Sequence, residues 1–455
     1  MDTISEMMSS HAVSVDYASL PVDGVHEAKR RILDSMGCAL AGYGSPVSRI
    51  ARMMALTSQS AQPARILGEG AGTVAPDLAA FANTVMVRVL DCNDAFVSAA
   101  GGHPSDMFPA VLAGAEVANR SGKELLAALI LAYDIYGWFA EVCPIRDRGW
   151  DQGIFVALGS ACAVGQLLGL SRQQLAHAIS LAAVSGIPLG QTRVGELSMW
   201  KGCATAAAVR HGVFSALLAE HGMEGPASPF EGRFGLFEQV TGPLKLSALS
   251  PASQATRRKI CDTSIKYFPA QIHTQAGAAM ALELRSEFDL ADVVAIRLET
   301  YEVAVRNAAG EPEKWDPKTS ETADHSLPYV VAVALTDGAL TPGSFSAERI
   351  ADPGLRPVMR KVEVCESSEF TRDYPGTQGA RMEIRLRSGR SLSAETTHPK
   401  GHFKNPLTDR ELAAKFRGLT EGILAPERQE ELLTCIWDFD KLDDLSPLFA
   451  AARLG

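Results

Sequence analysis

The sequence predicts a mainly α-helical protein in which a large all-helical domain is joined to a smaller α+β domain. Its 455 residues exceed the roughly 250–300 residues at which one hydrophobic core stops growing, so two domains are expected. The spacing of apolar residues also changes after Lys266, from a helical period to strand-like alternation. We therefore place the helical domain at residues 1–265, completed by 406–455, and the α+β domain at 266–405.

The first half of the chain, from about residue 22 to 265, has small and apolar residues at helical spacing. Two segments within it, Ser121-Gly-Lys-Glu124 and Ser171-Arg-Gln-Gln174, match the capping box. In this motif, a hydroxyl and a carboxylate or amide side chain satisfy backbone N–H groups at the start of a helix. The pattern predicts successive helices, two of which begin at these segments.

Four segments of the second half alternate apolar and polar residues, as half-buried strands do. They are Val293–Val305, Val358–Cys365, Arg381–Arg387 and Ser391–Thr397. The last two flank a Ser-Gly-Arg turn and predict a hairpin. Helical signals return with Thr408-Asp-Arg-Glu411 and Glu427–Trp437, so the C-terminal segment is expected to complete the helical domain.

Composition and charge exclude several classes of protein. The net charge of −10 is mild for this length and Lys and Arg are scattered, so no nucleic-acid partner is expected. The eight cysteines form no CxxC pattern, which argues against a zinc or iron–sulfur site. The N-terminus lacks the basic and apolar regions of a signal peptide, and we expect a cytoplasmic location.

Two nearly uncharged stretches, Gly153–Leu170 and Leu175–Val194, are long enough to raise the question of membrane spans. Both are rich in Ala, Gly and Ser, and neither has flanking aromatic belts. We therefore expect tightly packed interior helices and no membrane partner.

The segment Leu90–Ser105 is the most informative for chemistry. A proline after His103 forces that residue out of helical geometry, and two glycines before it allow close approach of backbone or ligand. Asp91 and His103 supply a candidate acid–base pair, and a helix capped by Ser105 would offer free N–H groups to a carboxylate. The alternative is a polar loop whose acidic residues cap helix ends.

An ordered series of motifs resembles the MmgE/PrpD family. The family carries LDFND or LDFDD followed by GHPSD, and this chain has LDCND at 90–94 and GGHPSD at 101–106. Further matches are FAN at 81–83, WKG at 200–202, FEGRFG at 230–235, KYFPAQIHTQ at 266–275, WDPKTSETADHSLPY at 315–329 and HPKGHFKNPLT at 398–408. Because the series covers almost the whole chain in order, the resemblance is specific.

The resemblance implies a helical domain with a smaller α+β lid, commonly assembled as a homodimer. It implies lyase or isomerase chemistry beside the carboxylates of a small polycarboxylate, with no metal or other cofactor. TADHSLPY and WKG look like the branch that dehydrates 2-methylcitrate in propionate catabolism, so a hydro-lyase acting on that substrate or a close analogue is expected. Two alternatives are a cis-aconitate-type decarboxylase or an epimerase of the same family, and a catalytically silent tricarboxylate-binding protein.

The matched motifs also imply a set of site residues. The candidate catalytic residues are Asp91, His103, Lys201, Lys266 and Tyr329, and the candidate substrate-binding residues are Gln152, His273, His325 and Ser105. In this scheme His103, or a relay through Asp91, removes a proton beside a carboxylate, and Tyr329 or another acid assists the departure of hydroxide. The two lysines bind carboxylates and stabilise enolate-like charge.

Some of these residues have a structural alternative, and the chain departs from the family at two positions. Lys201 could be a helix lysine with a buried stem, His273 a core histidine and Tyr329 a buried ring. The departures are Ala95, where the family often has Thr, and Gln152, where His is usual. Because Gln can donate a hydrogen bond but cannot act as a general acid, the substrate or reaction could differ from 2-methylcitrate dehydration.

Overall fold

The computed structural model describes residues 1–70, 72–242, 244 and 257–454. Helices dominate these residues, and a four-stranded sheet lies in the second half of the chain. The predicted fold class, a large helical domain with a smaller α+β domain, is confirmed. The part of the helical prediction that covers residues 243 and 245–256 lies outside the described residues.

The first half packs long helices against one another. They are α1 (Thr3–Ser14), α2 (Val22–Gly42), α3 (Pro46–Ala55), α4 (Pro76–Arg88), α5 (Phe108–Val117), α6 (Gly122–Val142), α7 (Gly153–Leu167), α8 (Arg172–Val184) and α9 (Trp200–Glu220), with a short hairpin of β1 (Ala64–Arg65) and β2 (Thr73–Val74). The predicted capping boxes at Ser121 and Ser171 are confirmed at the starts of α6 and α8. The sequence analysis missed α1, which begins where the Asp2 carboxylate accepts the backbone N–H of Ser5 at 3.1 Å.

The second half contains a mixed sheet. Its strands are β3 (Val293–Thr300), β4 (Val362–Glu366), β5 (Ala380–Leu386) and β6 (Ser391–Thr396), in the order β4-β3-β5-β6. β3 and β4 are parallel, whereas β3 with β5 and β5 with β6 are antiparallel, so the predicted hairpin is confirmed.

Short helices surround this sheet. They are α10 (Gln275–Leu284), α11 (Glu302–Ala309), α12 (Pro312–Trp315), α13 (Ser320–Ala323), α14 (Leu327–Asp337), α15 (Ala347–Ala351), α16 (Leu355–Met359) and α17 (Ser368–Asp373). Two strand boundaries were predicted wrongly as a result. β3 stops at Thr300 because α11 begins two residues later, and β4 begins only at Val362 because α16 occupies the preceding turn.

The chain then returns to helices with α18 (Asp409–Thr420), α19 (Pro426–Trp437) and α20 (Ser446–Ala452). The capping box predicted at Thr408 is present at the start of α18. One hydrophobic core joins buried residues between Ile4 and Ile265 with others between Leu407 and Ala452. A second core is built between Phe268 and Ala394. This division supports our proposal that the domain boundaries lie at 265/266 and 405/406.

Two helices, α6 and α9, are long and apolar enough to cross a membrane by length and composition. In each, most of the apolar window is buried inside the protein, 89% for α6 and 61% for α9. Core helices of soluble proteins have these properties. The predicted interior helix at Gly153–Leu170 is confirmed as α7, whereas Leu175–Val194 is not one helix, because α8 ends at Val184 and an exposed loop follows.

Candidate active site

A pocket of about 610 Å³ lies between the helical and the α+β parts of the chain. The loop after α4 and the segment between α6 and α9 form one wall, and the start of the second half, α11 and Tyr374 form the other. Its chargeable lining residues are Arg88, His103, Arg146, Asp147, Arg193, His273, Arg306, Glu311, His325 and Tyr374. The pocket therefore presents four guanidinium groups and three imidazoles.

Asp91 is fully buried and contacts or lies near three residues that line this pocket, Arg88, His103 and His325. It has a φ of 48°, a left-handed conformation that Asp tolerates better than most residues. The Arg88 guanidinium contacts Asp91 Oδ1 at 2.5 Å, and Lys266 Nζ pairs with the same oxygen. Lys201 Nζ lies 3.3 Å from Oδ2. Although burial opposes ionisation, these cations hold the pKa of Asp91 well below its usual range.

The two predicted lysines therefore meet at Asp91, but neither is free. Lys266 also donates to the backbone carbonyl of Asp91 at 2.7 Å, and burial lowers its pKa. Lys201 donates to Asp324 Oδ2 at 2.5 Å. Both side chains are at most 1% exposed. They supply positive charge behind Asp91 and do not form part of the pocket lining that the structure describes.

His103 lines the pocket with its ring in a fixed orientation. Nδ1 lies 2.7 Å from the backbone oxygen of Asp94, an acceptor, so Nδ1 carries the proton in the neutral ring and Nε2 is the free acceptor. Nε2 is 4.0 Å from Asp91 Oδ1. Burial, together with the charges of Arg88 and Lys266, lowers the pKa of His103 well below 6.5. The ring is therefore neutral at pH 7, and the lone pair of Nε2 is available as an acceptor.

His325 is a second imidazole on the other side of Asp91. Its Nδ1 donates to the Asp324 carboxylate, and its Nε2 lies 3.4 Å from Asp91 Oδ2. Burial and the nearby Lys201 charge lower its pKa to about 4. Two neutral imidazoles thus flank one buried carboxylate at the wall of the pocket.

Gln152, at the position where the family usually has His, supports His103. Its Oε1 accepts the backbone N–H of His103 at 2.6 Å and the hydroxyl of Tyr136 at 2.8 Å. These two donors fix the amide orientation, so the NH₂ group must point elsewhere. Nε2 has no hydrogen-bond partner among the described residues. A β-carbon on Gly102 would lie 1.8 Å from Oε1, so this contact requires a glycine there.

The remaining candidates occupy other positions. His273 lines the outer part of the pocket, with Nδ1 2.7 Å from the Tyr301 hydroxyl, and burial and Arg146 lower its pKa to about 3. Tyr329 lies in the second hydrophobic core, where its hydroxyl donates to the Ser344 carbonyl at 2.7 Å and burial raises its pKa to about 12. The structure does not bring Tyr329 into the described lining of the pocket. Its catalytic role stays a prediction.

Ser105 differs from the expected helix cap. The segment Pro104–Met107 is a 3-10 turn, and the α-helix begins at Phe108. The Ser105 N–H donates to Asp94 Oδ1 at 3.1 Å, and its hydroxyl accepts from Asn93 at 2.8 Å. These groups form hydrogen bonds within the protein, and the residue is fully buried. The prediction that a helix start at Ser105 offers free N–H groups to a carboxylate was therefore wrong.

Sequence analysis missed Asp324 and the arginines of the pocket. Asp324 falls inside the TADHSLPY motif, next to His325, so the motif itself could have indicated it. Arg88 is three residues before Asp91, a spacing that suits an ion pair at a helix end. Arg146, Arg193 and Arg306 carried no such signal.

One trio of side chains, Asp91, Asp324 and His325, has potential metal-ligating atoms within 4.8 Å of one another. The carboxylates already face Arg88, Lys201 and Lys266, so a divalent cation would meet three fixed positive charges. These residues fit an ion-pair network better than they fit a metal.

The fold and the site together define a two-part helical protein with an acid–base pocket between its parts. The model of the MmgE/PrpD N-terminal domain matches residues 6–248, and that of the MmgE/PrpD C-terminal domain matches residues 268–441. The chain therefore belongs to the MmgE/PrpD family.

Three curated relatives illustrate its similarities. The chain is 29% identical to 2-methylcitrate dehydratase from Cupriavidus necator, over 91% of this chain and 90% of that protein. It is 27% identical to cis-aconitate decarboxylase from Mus musculus, over 96% and 90%. It is also 27% identical to an alkylcitrate dehydratase from a fungal species, over 86% and 82%.

Proposed function

We propose that this protein is a lyase that dehydrates a small tricarboxylate, 2-methylcitrate or a close analogue. The observation that carries the proposal is the pair of neutral imidazoles on either side of buried Asp91, in a pocket lined by four arginines. The names of the relatives, 2-methylcitrate dehydratase and alkylcitrate dehydratase, support the same reaction class.

The arginines suit a substrate with several carboxylates. Arg88, Arg146, Arg193 and Arg306 line the pocket from both parts of the chain. A guanidinium group presents a planar set of donors that matches a carboxylate. The Arg146 side chain is held by the backbone oxygens of Ala100, at 2.5 Å, and Gly101, at 3.3 Å, which fixes it beside the His103 loop. The substrate carboxylates would bind to these groups.

In the proposed mechanism, His103 Nε2 removes the proton on the carbon beside a carboxylate. The electron pair passes into the enolate-like system of that carboxylate, where fixed positive charge stabilises it in a site largely shielded from water. Arg88, Lys201 and Lys266 supply that charge. The hydroxyl on the adjacent carbon then leaves with a proton from an acid, which gives water and a carbon–carbon double bond.

His325 is our candidate for the second proton carrier. It lines the same pocket, and an anionic substrate would favour its protonated form. Tyr329, the acid expected from the sequence, donates its hydroxyl to Ser344 instead. The proposed mechanism needs no metal or organic cofactor, because side chains of the chain supply both the proton carriers and the positive charge.

Decarboxylation of cis-aconitate is the second candidate. It is favoured by Gln152 and Ala95, which depart from the residues that the family usually has at these positions, and by the 27% identity to cis-aconitate decarboxylase. One of the two imidazoles, protonated at Nε2 once the anionic substrate is bound, would then give this proton to the carbanion left by carbon dioxide. A silent tricarboxylate-binding protein is the third possibility, and it would bind without turnover.

Proton NMR in deuterated buffer tests the proposal. Chelator-treated protein is incubated separately with 2-methylcitrate, citrate and cis-aconitate, and both products and deuterium incorporation are followed. We expect an unsaturated product from 2-methylcitrate. Carbon dioxide release from cis-aconitate would establish the second candidate, and calorimetric binding without any turnover would favour the third. No change and no binding with all three compounds would reject the tricarboxylate proposal.

A further inference from the structure

Asp324 is held rigidly beside the site by its backbone. It follows α13, and its N–H donates to the Ser320 carbonyl at 3.0 Å. Its own carbonyl accepts the N–H of Gln271 at 2.9 Å. The residue is only 4% exposed. Because both backbone groups are satisfied and the side chain is buried, the carboxylate has a defined position.

The two oxygens of Asp324 contact two different residues of the site. Oδ1 accepts from His325 Nδ1, and Oδ2 accepts from Lys201 Nζ at 2.5 Å. An ionised carboxylate can only accept hydrogen bonds, so Nδ1 of His325 must carry a proton. The neutral ring then has its lone pair on Nε2.

That lone pair faces Asp91 Oδ2 at 3.4 Å, and this oxygen accepts no hydrogen bond from the described residues. Two acceptors that face each other repel unless one takes up a proton. The Asp91 and Asp324 carboxylates therefore favour proton uptake at Nε2, against the burial and the Lys201 charge that hold the pKa of His325 low. The charged and titratable groups around His325 are Asp324, Asp91 from the loop after α4, Lys201 from α9 and His273 from the α+β part.

We infer that Asp324 is a positioning residue for the proposed reaction. It holds His325 as the Nδ1-protonated tautomer, with Nε2 exchanging protons with the substrate, and it fixes the Lys201 ammonium beside Asp91. The inference rests on the proposed function, because it assigns His325 as the second proton carrier. Asp324 itself need not change its protonation state, as in other carboxylate–imidazole pairs.

The test compares wild type, Asp324→Asn and the matched control Glu321→Gln, which removes a carboxylate from α13, the short helix that Asp324 follows. Asp324→Asn keeps the side-chain shape but removes the charge. We expect kcat to fall on the order of 10²-fold or more, a typical contribution of one proton carrier, while KM changes only a few-fold. Glu321→Gln should retain wild-type kcat.

The pH profile separates positioning from folding. Asp324 raises the pKa of His325, so its loss must lower that pKa. Whether His325 acts as an acid or a base, the limb of the kcat profile that it controls should move to lower pH in Asp324→Asn. Circular dichroism and thermal unfolding establish that the variant is folded. A folded variant with wild-type kcat or an unshifted limb would overturn the inference.

A measurement that does not depend on turnover completes the test. Nitrogen-15 imidazole NMR reports which ring nitrogen carries the proton, and a His325→Gln variant identifies the His325 signals. We expect the Nδ1–H tautomer in wild type and its partial or complete loss in Asp324→Asn. The Nε2–H tautomer in wild type would overturn the inference. If wild type turns over no tricarboxylate, the proposed function fails, whereas the tautomer measurement still decides whether Asp324 positions His325.

Discussion

The reactivity of His103 is set by which of its ring nitrogens is free. Because Nδ1 is bound to the Asp94 carbonyl, Nε2 faces the pocket and Asp91. We predict that His103→Ala lowers kcat by roughly 10²–10⁴-fold, the usual contribution of a general base. Steady-state turnover of the substrate identified by NMR, at neutral pH, measures this effect.

The matched control for His103 is His221→Ala, because the His221 side chain is 72% exposed and lies at the end of α9. It should retain wild-type turnover. Normal turnover in His103→Ala would remove His103 from the mechanism and leave His325 as the proton carrier. Tricarboxylate binding by calorimetry shows whether an inactive His103→Ala variant retains its pocket.

For single residues, the sequence predicted which residues form the site better than it predicted the contacts that they make. Asp91, Lys201 and Lys266 meet as the motifs implied, although each lysine is more than a hundred positions from Asp91 in the chain. The TADHSLPY motif could have indicated Asp324 as a site residue but not its ion pair with Lys201, because the two residues are 123 positions apart. Nothing in the Tyr329 motif indicated that a backbone carbonyl accepts its hydroxyl. The contacts of a side chain depend on tertiary packing, which a local sequence pattern does not predict.

Whole elements were predicted where local signals are strong. The capping boxes and the β5–β6 hairpin depend on interactions within a few residues, and they were found correctly. The strand at Val293–Val305 was predicted too long because the tail of an alternating pattern also fits the first turn of α11. α1 was missed because its apolar stripe is weak and its cap is a single Asp.

The C-terminal helix α18 has a direct connection to the site through Lys415. Its ammonium donates to the Cys92 carbonyl at 2.8 Å, the Lys266 carbonyl at 2.7 Å and Asp34 at 2.5 Å. Cys92 is the residue after Asp91, and Lys266 forms an ion pair with Asp91. Lys415 therefore holds together the two backbone segments that bring Lys266 to Asp91.

We predict that Lys415→Met destabilises the protein by about 3–5 kcal/mol, because it leaves Asp34 buried without its cation. Urea unfolding measures this change. The double variant Asp34→Asn/Lys415→Met should recover part of the stability but not the turnover, since the backbone carbonyls stay unbound. Exposed Lys441→Met is the control. Full turnover in a folded double variant would contradict the positioning role.

For the whole molecule, the pocket lies between two hydrophobic cores, so both parts of the chain contribute residues to the site. Asp91 and His103 come from the helical part, and His325 comes from the α+β part. Lys266 lies at the proposed boundary between them. A change in the relative position of the two parts would alter the distance from His325 to Asp91. Movement of the proposed lid would therefore change the geometry of the proton carriers.

An apolar surface on the helical part borders a second cavity, which shares Trp150 with the reaction pocket. A cavity of about 510 Å³ is bordered by Ile187 and Trp200, which are 76% and 50% exposed. Val184 and Val194 nearby are each 51% exposed. Such a cluster is uncommon on a monomer. Apolar side chains beside an apolar cavity give a face that can pair with itself, as a twofold interface requires.

We predict that a second copy of this chain covers this surface, giving the homodimer that the family resemblance implies. Light scattering after size exclusion should give twice the 48.5 kDa of one chain. Ile187→Asp should give monomers, whereas Val22→Asp, which changes an 86% exposed valine elsewhere, should not. Because Trp150 lines both this cavity and the reaction pocket, we expect the monomeric variant to turn over more slowly. A monomeric wild type at micromolar concentration would reject the dimer, and a dimeric Ile187→Asp would place its interface elsewhere.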